Sequence, residues 1–283
     1  DVAIAYAQGI PTYYVIDKII ANKKIAWVNV NMQSKPKNKV YQKTYYNKYK
    51  AIVAVSEGTN KHLRGLFPNL SNKYYTITDI IDYASILKMA SFSSKSFDKS
   101  CFNILTVARL NKTQKGYDIL LEVVKILKDR GVNFHWYAIG EGSYKPEMLK
   151  YIEQYKLKDR FTFLGVTANP YPYFKNADLY VQTSRFEGYG LSIAEARLLN
   201  VPVVTTRFVN VFMQMVHGKN GLVVDIDANA VADAIERMMN DQQLYDSIVE
   251  YLKLEQKENY ESVEKFDRLI NNRISKDRTK RKL

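Results

Sequence analysis

Two glutamates, Glu187 and Glu195, stand with seven residues between them around the turn Gly188-Tyr189-Gly190-Leu191. Asp178-Leu179-Tyr180-Val181-Gln182-Thr183-Ser184 before them reads as an apolar strand running into polar punctuation, and Leu191 to Leu199 has helical composition, stopping before Val201-Pro202. Gly188 and Gly190 permit a sharp turn and close approach of backbone to a ligand. A helix that starts directly after a parallel strand offers unpaired N–H groups and a positive dipole end, which suits phosphate. Carboxylates bind phosphate poorly but accept hydrogen bonds well from sugar and ribose hydroxyls. The layout therefore suits a nucleotide sugar. Two glutamates at this spacing also occur by chance, and Glu195 alone could be a solvated helix residue. What strengthens the functional reading is that both follow a strand end, where open α/β sheets bind ligands. As a loop-edge carboxylate, Glu187 is expected to add little to the core.

Two cations converge on the same rim. Arg109 follows the apolar segment Phe102 to Ala108, and Lys115-Gly116 precedes the next helix, so both occupy one strand-to-helix loop. An arginine forks onto a pyrophosphate and a lysine adds a point charge. Together they can neutralise a diphosphate leaving group without a metal; the plain alternative is a solvated basic loop. Gly140-Glu141-Gly142 forms another strand-to-helix turn on this rim, read as a close-approach turn because no complete G-x-G-x-x-G or Walker A pattern is present. Asp225-Ile226-Asp227 has the form of a metal-holding D-x-D, but it ends a strand and precedes Ala228-Asn229-Ala230, which favours a helix N-cap at Asp227. His62, His135 and His217 are too scattered for a metal site, and His135 lies inside a strand.

These residues need a scaffold, and the middle of the chain supplies one. Strands are expected over 102–108, 132–139, 161–165, 178–184, 201–206 and 221–224. Helices are expected over 117–130, 146–155, 171–175, 191–199 and 228–240. Repeated βα units with short loops imply a parallel sheet with helices on both faces. The first hundred residues carry a fainter copy, with strands at 2–5, 24–28 and 51–55, continued by 61–67 and 74–77. Ser91 to Ser100 has linker composition, and 242–275 reads as helices before a charged tail, Lys276 to Lys282. The expected domains are 1–97, 98–250 and a helical return over 251–283.

Composition sets the outer bounds. A chain of 283 residues, 46% hydrophobic, has room for two domains with sizeable cores. The single cysteine, Cys101, excludes an internal disulfide and is compatible with a reducing compartment. No apolar run approaches the length of a membrane span. The net charge of +13 is uneven: residues 1–100 carry 15 Lys+Arg against 6 Asp+Glu, residues 101–250 carry 17 of each, and residues 251–283 carry 10 against 6. Such a basic surface is drawn to anionic lipid or to nucleic acid, or serves solubility alone. The lipid surface is favoured, because no helix-turn-helix, RNP-like or zinc-finger pattern accompanies the charge.

The order of motifs resembles a known family. Val107-Ala108-Arg109-Leu110 with Lys115-Gly116, then Gly140-Glu141-Gly142, then Glu187 to Glu195, then Asn220-Gly221-Leu222-Val223-Val224, looks like the donor half of a GT-B glycosyltransferase of family 4, over roughly residues 101 to 240. Ile25-Ala26-Trp27-Val28, Val53-Ala54-Val55-Ser56-Glu57 and Ile80-Ile81-Asp82 are similar to segments of that family's acceptor domain. The resemblance implies an α/β fold of two Rossmann-like domains, the N-terminal one incomplete at its start. It also implies retaining transfer from a nucleotide sugar without metal or cofactor. By motif match, Arg109 and Lys115 meet the donor diphosphate, Glu187 the sugar and Glu195 the ribose. Gly188, Tyr189, Gly190, Leu191, Gly140 and Glu141 complete the donor seat, and Asn29, Ser56 and Glu57 fall on the acceptor side. Where the family usually has a His and often an Asp, this chain has Asn29-Val30-Asn31, and an asparagine amide carries no proton.

The expected activity is transfer of a hexose from a UDP- or GDP-sugar to a lipid-linked or polysaccharide acceptor in cell-surface polysaccharide synthesis. The expected place is cytoplasmic, at the inner face of an anionic membrane, with no nucleic-acid partner. The competing expectation is a non-catalytic or truncated remnant that binds nucleotide sugar without transferring it.

Overall fold

Runs such as Ile104-Leu105 and Val203-Val204 are apolar on both sides of the strand, and such runs are stable only where helices cover both sheet faces. Two sheets of this kind form in the computed structural model, which describes residues 1–29, 36–93, 97–255 and 260–271. The chain divides into two compact units, Asp1–Ile81 with Glu258–Leu283, and Asp82–Lys257.

In the first unit, β1 (Val2–Ala5), β2 (Lys23–Val28), β3 (Ala51–Ala54) and β4 (Tyr74–Thr76) form a parallel sheet in that order. Helices α1 (Ile10–Lys18), α2 (Pro36–Lys48) and α3 (Glu57–Leu66) connect them. Ala26, Val28, Ile52, Leu63 and Phe67 pack with Tyr46 and Tyr49 in its core. The terminal helix α11 (Tyr260–Asn271) belongs to this unit. Its Phe266 ring sits edge-on to Trp27 with centroids 5.8 Å apart, and Ser262 hydrogen bonds to Thr78 at 2.6 Å. α1 and α2 were not legible beforehand. α2 is polar nearly all round and buries Tyr46 alone among its described side chains, so no apolar stripe marks it.

The second unit begins with α4 (Tyr83–Ala90), capped by Asp82, which accepts from Ser85 N at 3.0 Å. Its six-stranded parallel sheet has the order β10 (Gly221–Val224), β9 (Val203–Thr206), β8 (Leu179–Gln182), β5 (Phe102–Val107), β6 (Phe134–Ile139), β7 (Phe161–Gly165). The covering helices are α5 (Tyr117–Asp129), α6 (Lys145–Gln154), α7 (Tyr171–Asn176), α8 (Leu191–Leu198), α9 (Ala228–Asn240) and α10 (Gln242–Leu254). α5 shows how sequence becomes packing. Its apolar positions recur at helical spacing and bury Leu120, Val123, Val124 and Leu127 against Trp136 and Ile235. Trp136 donates its indole N–H to Thr106 Oγ1 at 3.1 Å, and Thr106 in turn donates to the Val181 carbonyl at 2.7 Å, so these buried polar groups are satisfied.

The units divide at 81/82, not at 97/98 as the linker composition suggested. α4 packs on α7, Asn169 Nδ2 donates to the Met89 carbonyl at 2.8 Å, and Phe97 stacks on Tyr137 at 3.8 Å, so α4 and Phe97 are fastened to the second unit. The expected helical return over 251–283 likewise splits. α10 buries Ile248 and Leu252 in the second unit's core, and α11 joins the first. The basic tail Lys276 to Lys282 lies outside the described residues.

Candidate active site

Strand order locates the site before any side chain is considered. From β5 the chain moves outward through β6 and β7, then crosses back to β8 on the other side of β5. The carboxyl ends of β5 and β8 therefore flank a topological switch point, where the loops diverge and leave a crevice. Arg109 and Lys115 follow β5, and the Glu187 turn follows β8.

The two loops are braced together. Arg185 forks onto Asp118, with both N–O distances 2.8 Å, and donates to the Lys112 carbonyl at 2.7 Å. Thr183 Oγ1 donates to the Lys115 and Gly116 carbonyls at 3.1 and 3.0 Å. Lys115 Nζ thereby reaches Glu187 Oε1 at 2.7 Å. The same oxygen accepts from Ser184 Oγ at 2.6 Å and Gln182 Nε2 at 3.0 Å. Glu187 is buried, only 7% exposed, which corrects the expectation that it adds little to the core. Burying a carboxylate is tolerable here because a cation and two neutral donors converge on it.

Glu195 lies one helical turn into α8, half-buried, and accepts from Tyr171 Oη at 3.1 Å. Burial pushes its carboxyl up to about 6, against the opposing effect of the Tyr171 hydrogen bond. Arg109 is exposed, its Nη2 donating to Gln114 Oε1 at 3.2 Å, so it meets neither Lys115 nor Glu187. Leu191 is exposed at the start of α8, and Tyr189 is half-buried.

The turn itself is held by residues that motif reading passed over. Asn210 Nδ2 donates to the Glu187 and Gly188 carbonyls at 3.2 and 3.0 Å, and Gln214 Nε2 donates to those of Tyr189 and Gly190 at 2.5 and 3.1 Å. Both amides are buried. Gln214 is oriented in turn by Arg197, whose Nη1 donates to its Oε1 at 3.3 Å, and Arg197 pairs with Glu255 at 2.5 Å. Gly190 caps α8 with φ 89°, a left-handed conformation that disfavours any side chain. The only advance signal was two amide residues four apart after a strand, too common to single out.

Some expected site residues do other work. A Cβ on Gly140 would lie 2.1 Å from the Ala108 carbonyl, so this glycine serves close approach between two loops, and Glu141 pairs with Lys145 at 2.6 Å. In the first unit Ser56 is fully buried and caps α3, accepting from Thr59 N at 3.0 Å, which places it in structure and not on an acceptor surface. Glu57 is exposed at the first turn of α3. Asn29 donates Nδ2 to the Tyr6 carbonyl at 2.9 Å, and Asn31 lies outside the described residues. Asp227 caps α9 by accepting from Ala230 N at 2.9 Å, and His135 hydrogen bonds to Thr162 at 2.8 Å within the sheet. Among the described residues no group of three or more His, Cys, Asp and Glu could hold a metal, and no helix is long and apolar enough to cross a membrane.

Comparison with known proteins agrees with this arrangement. The model of the family described as "Glycosyl transferases group 1" matches residues 90–255, which hold the whole switch point. The chain belongs to that family. It is 28% identical over 206 residues to an uncharacterized glycosyltransferase of Methanocaldococcus jannaschii, covering 68% of this chain and 50% of that one. It is 35% identical over 130 residues to the poly(ribitol-phosphate) alpha-N-acetylglucosaminyltransferase of Staphylococcus aureus, covering 44% of this chain and 26% of the relative. Thus the chain spans half or less of the length of these relatives.

Among solved structures, S. aureus TarM in complex with Fondaparinux, alpha-GlcNAc-glycerol and UDP superposes with TM-score 0.78 at 22% identity, over 95% of this chain and 55% of that one. Anabaena HepE with UDP and glucose gives 0.76 at 18%, over 88% and 72%. These likenesses show the fold: an α/β protein of two Rossmann-like halves, as in GT-B glycosyltransferases.

Proposed function

We propose that the protein transfers a hexose from a UDP- or GDP-sugar to a lipid-linked or polysaccharide acceptor in cell-surface polysaccharide synthesis, with retention and without metal. The observation that carries this reading is the Lys115–Glu187 pair at the switch point, 2.7 Å apart and anchored from two loops. The reading is supported by the S. aureus relative named for transfer of N-acetylglucosamine to poly(ribitol-phosphate), and by neighbours solved with UDP.

In this reading the diphosphate sits over the N-terminus of α8. Arg109 moves from Gln114 onto it, and Lys115 shares its three donors between Glu187 and the departing phosphate. Glu187 accepts from sugar hydroxyls, which fixes the anomeric carbon relative to the acceptor, and Glu195 accepts from the ribose. The developing negative charge on the diphosphate is met by two cations, so no step calls on a metal.

A second reading, binding of nucleotide sugar without transfer, is favoured by Asn29, which cannot carry a proton and whose amide is tied to the Tyr6 carbonyl. The two are separated by incubating the chain with radiolabelled UDP-glucose, UDP-N-acetylglucosamine and GDP-mannose and a membrane-lipid or glycan extract. Label in product, absent with Glu187→Ala, supports transfer; donor binding with no labelled product in any combination supports the second reading.

A further inference from the structure

A cavity of about 870 Å³ lies within the first unit, between α3, β4 and α11, and none of its lining residues belongs to the donor turn. Its walls are unusually cationic. Lys265, Arg268 and Leu269 stand at i, i+3 and i+4 on α11 and so line one wall together. Lys23, at the start of β2, hydrogen bonds through Nζ to the Leu269 carbonyl, which draws its ammonium to the same wall. Arg64 faces them from α3. Its Nε donates to Asn60 Oδ1 at 2.8 Å, and its guanidinium lies 5.6 Å from the Tyr74 ring centroid, so the planar group is held by a hydrogen bond and an aromatic face.

Against these four cations the lining holds one carboxylate, Glu57. Lys265 and Arg268 do pair with Glu261 and Glu264 one turn back on α11, but those are exposed i,i+4 pairs. Such exposed pairs are weak and screened by solvent, and a better anion displaces them. The remaining lining is not cationic: Asn60, its amide engaged by both Arg64 and Thr76, holds the Thr76 hydroxyl at 2.7 Å, and Tyr75 on the edge strand is 44% exposed, an aromatic surface for a sugar or polyol face.

We infer that this cavity binds a phosphate-bearing sugar or polyol. The phosphate lies between Arg64 and the Lys265/Arg268 wall, where the guanidinium forks suit its oxygens. The hydroxyl-bearing part lies along Tyr75 and Thr76. The recess is large enough for one or two such units. The site is independent of the donor turn, and its occupancy does not depend on whether the chain transfers sugar.

Calorimetric titration of the whole chain with glycerol 3-phosphate, with inorganic phosphate and with glycerol tests the inference. Saturable binding of both phosphates and none of glycerol is expected, weakened at least tenfold in Arg64→Gln and in Lys265→Gln with Arg268→Gln, and unchanged in Arg109→Ala. The α11 pair is exposed, so that variant keeps the test decisive if Arg64→Gln lowers the thermal midpoint. A free and a lipid source of the phosphoester are separated with phosphatidylglycerol vesicles. Vesicle binding that glycerol 3-phosphate displaces assigns the headgroup, and soluble binding alone assigns the free ester. No saturable binding, equal binding of glycerol, or loss of phosphate binding in Arg109→Ala but not in the cavity variants would overturn the inference, the last placing the anion at the donor turn.

Discussion

Lys115 Nζ and Glu187 Oε1 meet at 2.7 Å from positions 72 residues apart, and Ser184 and Gln182 donate to the same oxygen. The ion pair thus joins the Arg185 and Thr183 contacts in locking the β5 and β8 loops to each other. A buried pair of this kind is expensive to break from one side, because the survivor is left charged without a partner, at a cost of roughly 3–5 kcal/mol. Lys115→Met and Glu187→Gln should each lower stability by an amount of that order, while Lys115→Met with Glu187→Gln recovers most of it. Turnover is expected to be lost in all three. Chemical denaturation of the four proteins, set beside donor turnover, checks this; additive losses in the double variant would show that the two side chains do not act as a pair.

Arg109 is uncommitted to the donor turn, held only by an exposed hydrogen bond to Gln114. Removing it should leave the fold within about 0.5 kcal/mol of the parent, as for an ordinary surface substitution. Arg109→Ala should nevertheless reduce transfer by 100-fold or more, since removing one preorganised donor to a developing charge typically costs that much. Activity should survive a chelator. An absolute requirement for Mg²⁺ or Mn²⁺, measured after chelation and add-back, would bring Asp225 and Asp227 back into consideration.

Glu195 supplies a pH dependence. Its carboxyl titrates near 6 because burial penalises the charged form. For an acid raised in the fold, the sign runs opposite to the usual carboxylate. Stability from this group is fully present below about 4.5 and lost as pH rises through about 6. Glu195→Gln should therefore match or exceed the parent's thermal midpoint at pH 7.5 without nucleotide. In the proposed reading Glu195 accepts from the ribose, and it does so most strongly when ionised, so UDP affinity should fall as pH drops below 6, and that fall should vanish in Glu195→Gln. Tyr171→Phe, which removes a donor to the carboxylate, should move the inflection upward. An unshifted inflection in Tyr171→Phe would sever the link between the two side chains.

How much of this was legible beforehand follows the physics of each element. β5 to β10 and their helices were readable because both-face burial gives continuous apolar runs, and α5 and α9 carry clear helical stripes; α9 fell at Ala228–Asn240 as expected. Glu187, Glu195 and Lys115 could be singled out because they sit at fixed offsets from strand ends, and the structure brings Lys115 and Glu187 together. Their partners could not be singled out. Arg185 acts through a carboxylate brought near by the pairing of β8 with β5, and Asn210 and Gln214 through carbonyls brought near by the pairing of β9 with β8, non-local relations with no local signature. α2 escaped for the opposite reason: its polar composition offers no period, and it is held by Tyr46 and the tyrosines packed around Tyr13.

The amide clamp makes its own prediction. Asn210 and Gln214 together satisfy four carbonyls of the Glu187–Gly190 turn and touch nothing else assigned to donor binding. Each buried bond lost costs on the order of 1 kcal/mol, so Asn210→Ala and Gln214→Ala should each cost about 2 kcal/mol. If they position the turn, kcat should fall more than the KM for donor rises, since a displaced Glu187 weakens the oriented sugar more than the bound diphosphate. A rise in KM with unchanged kcat would assign them to binding alone.

The last prediction concerns the bilayer. The basic excess lies in residues 1–100 and 251–283, while 101–250 is balanced, so any attraction to anionic lipid is a property of the ends of the sequence. Within the first unit, α1 and α2 pack through Tyr13, Tyr41 and Tyr45, and they leave Ile10, Tyr14, Val40 and the following Ile20 exposed beside Lys18, Lys43 and Lys48. Apolar side chains interleaved with lysines are what an interfacial surface requires: the cations bring it to the headgroups and the side chains insert. Each lysine near an anionic surface contributes about 1 kcal/mol, and the effect fades beyond ~10 Å in 0.1 M salt. The plain alternative is a charge excess that serves solubility. Co-sedimentation with phosphatidylglycerol and phosphatidylcholine vesicles at low and high salt separates them. Binding to the anionic vesicles alone is expected, reduced about tenfold or more by Lys18→Glu with Lys43→Glu and by high salt, and reduced without change in salt dependence by Ile20→Ser. Equal, weak sedimentation with both vesicle types would show that the charge does not direct the protein to a membrane.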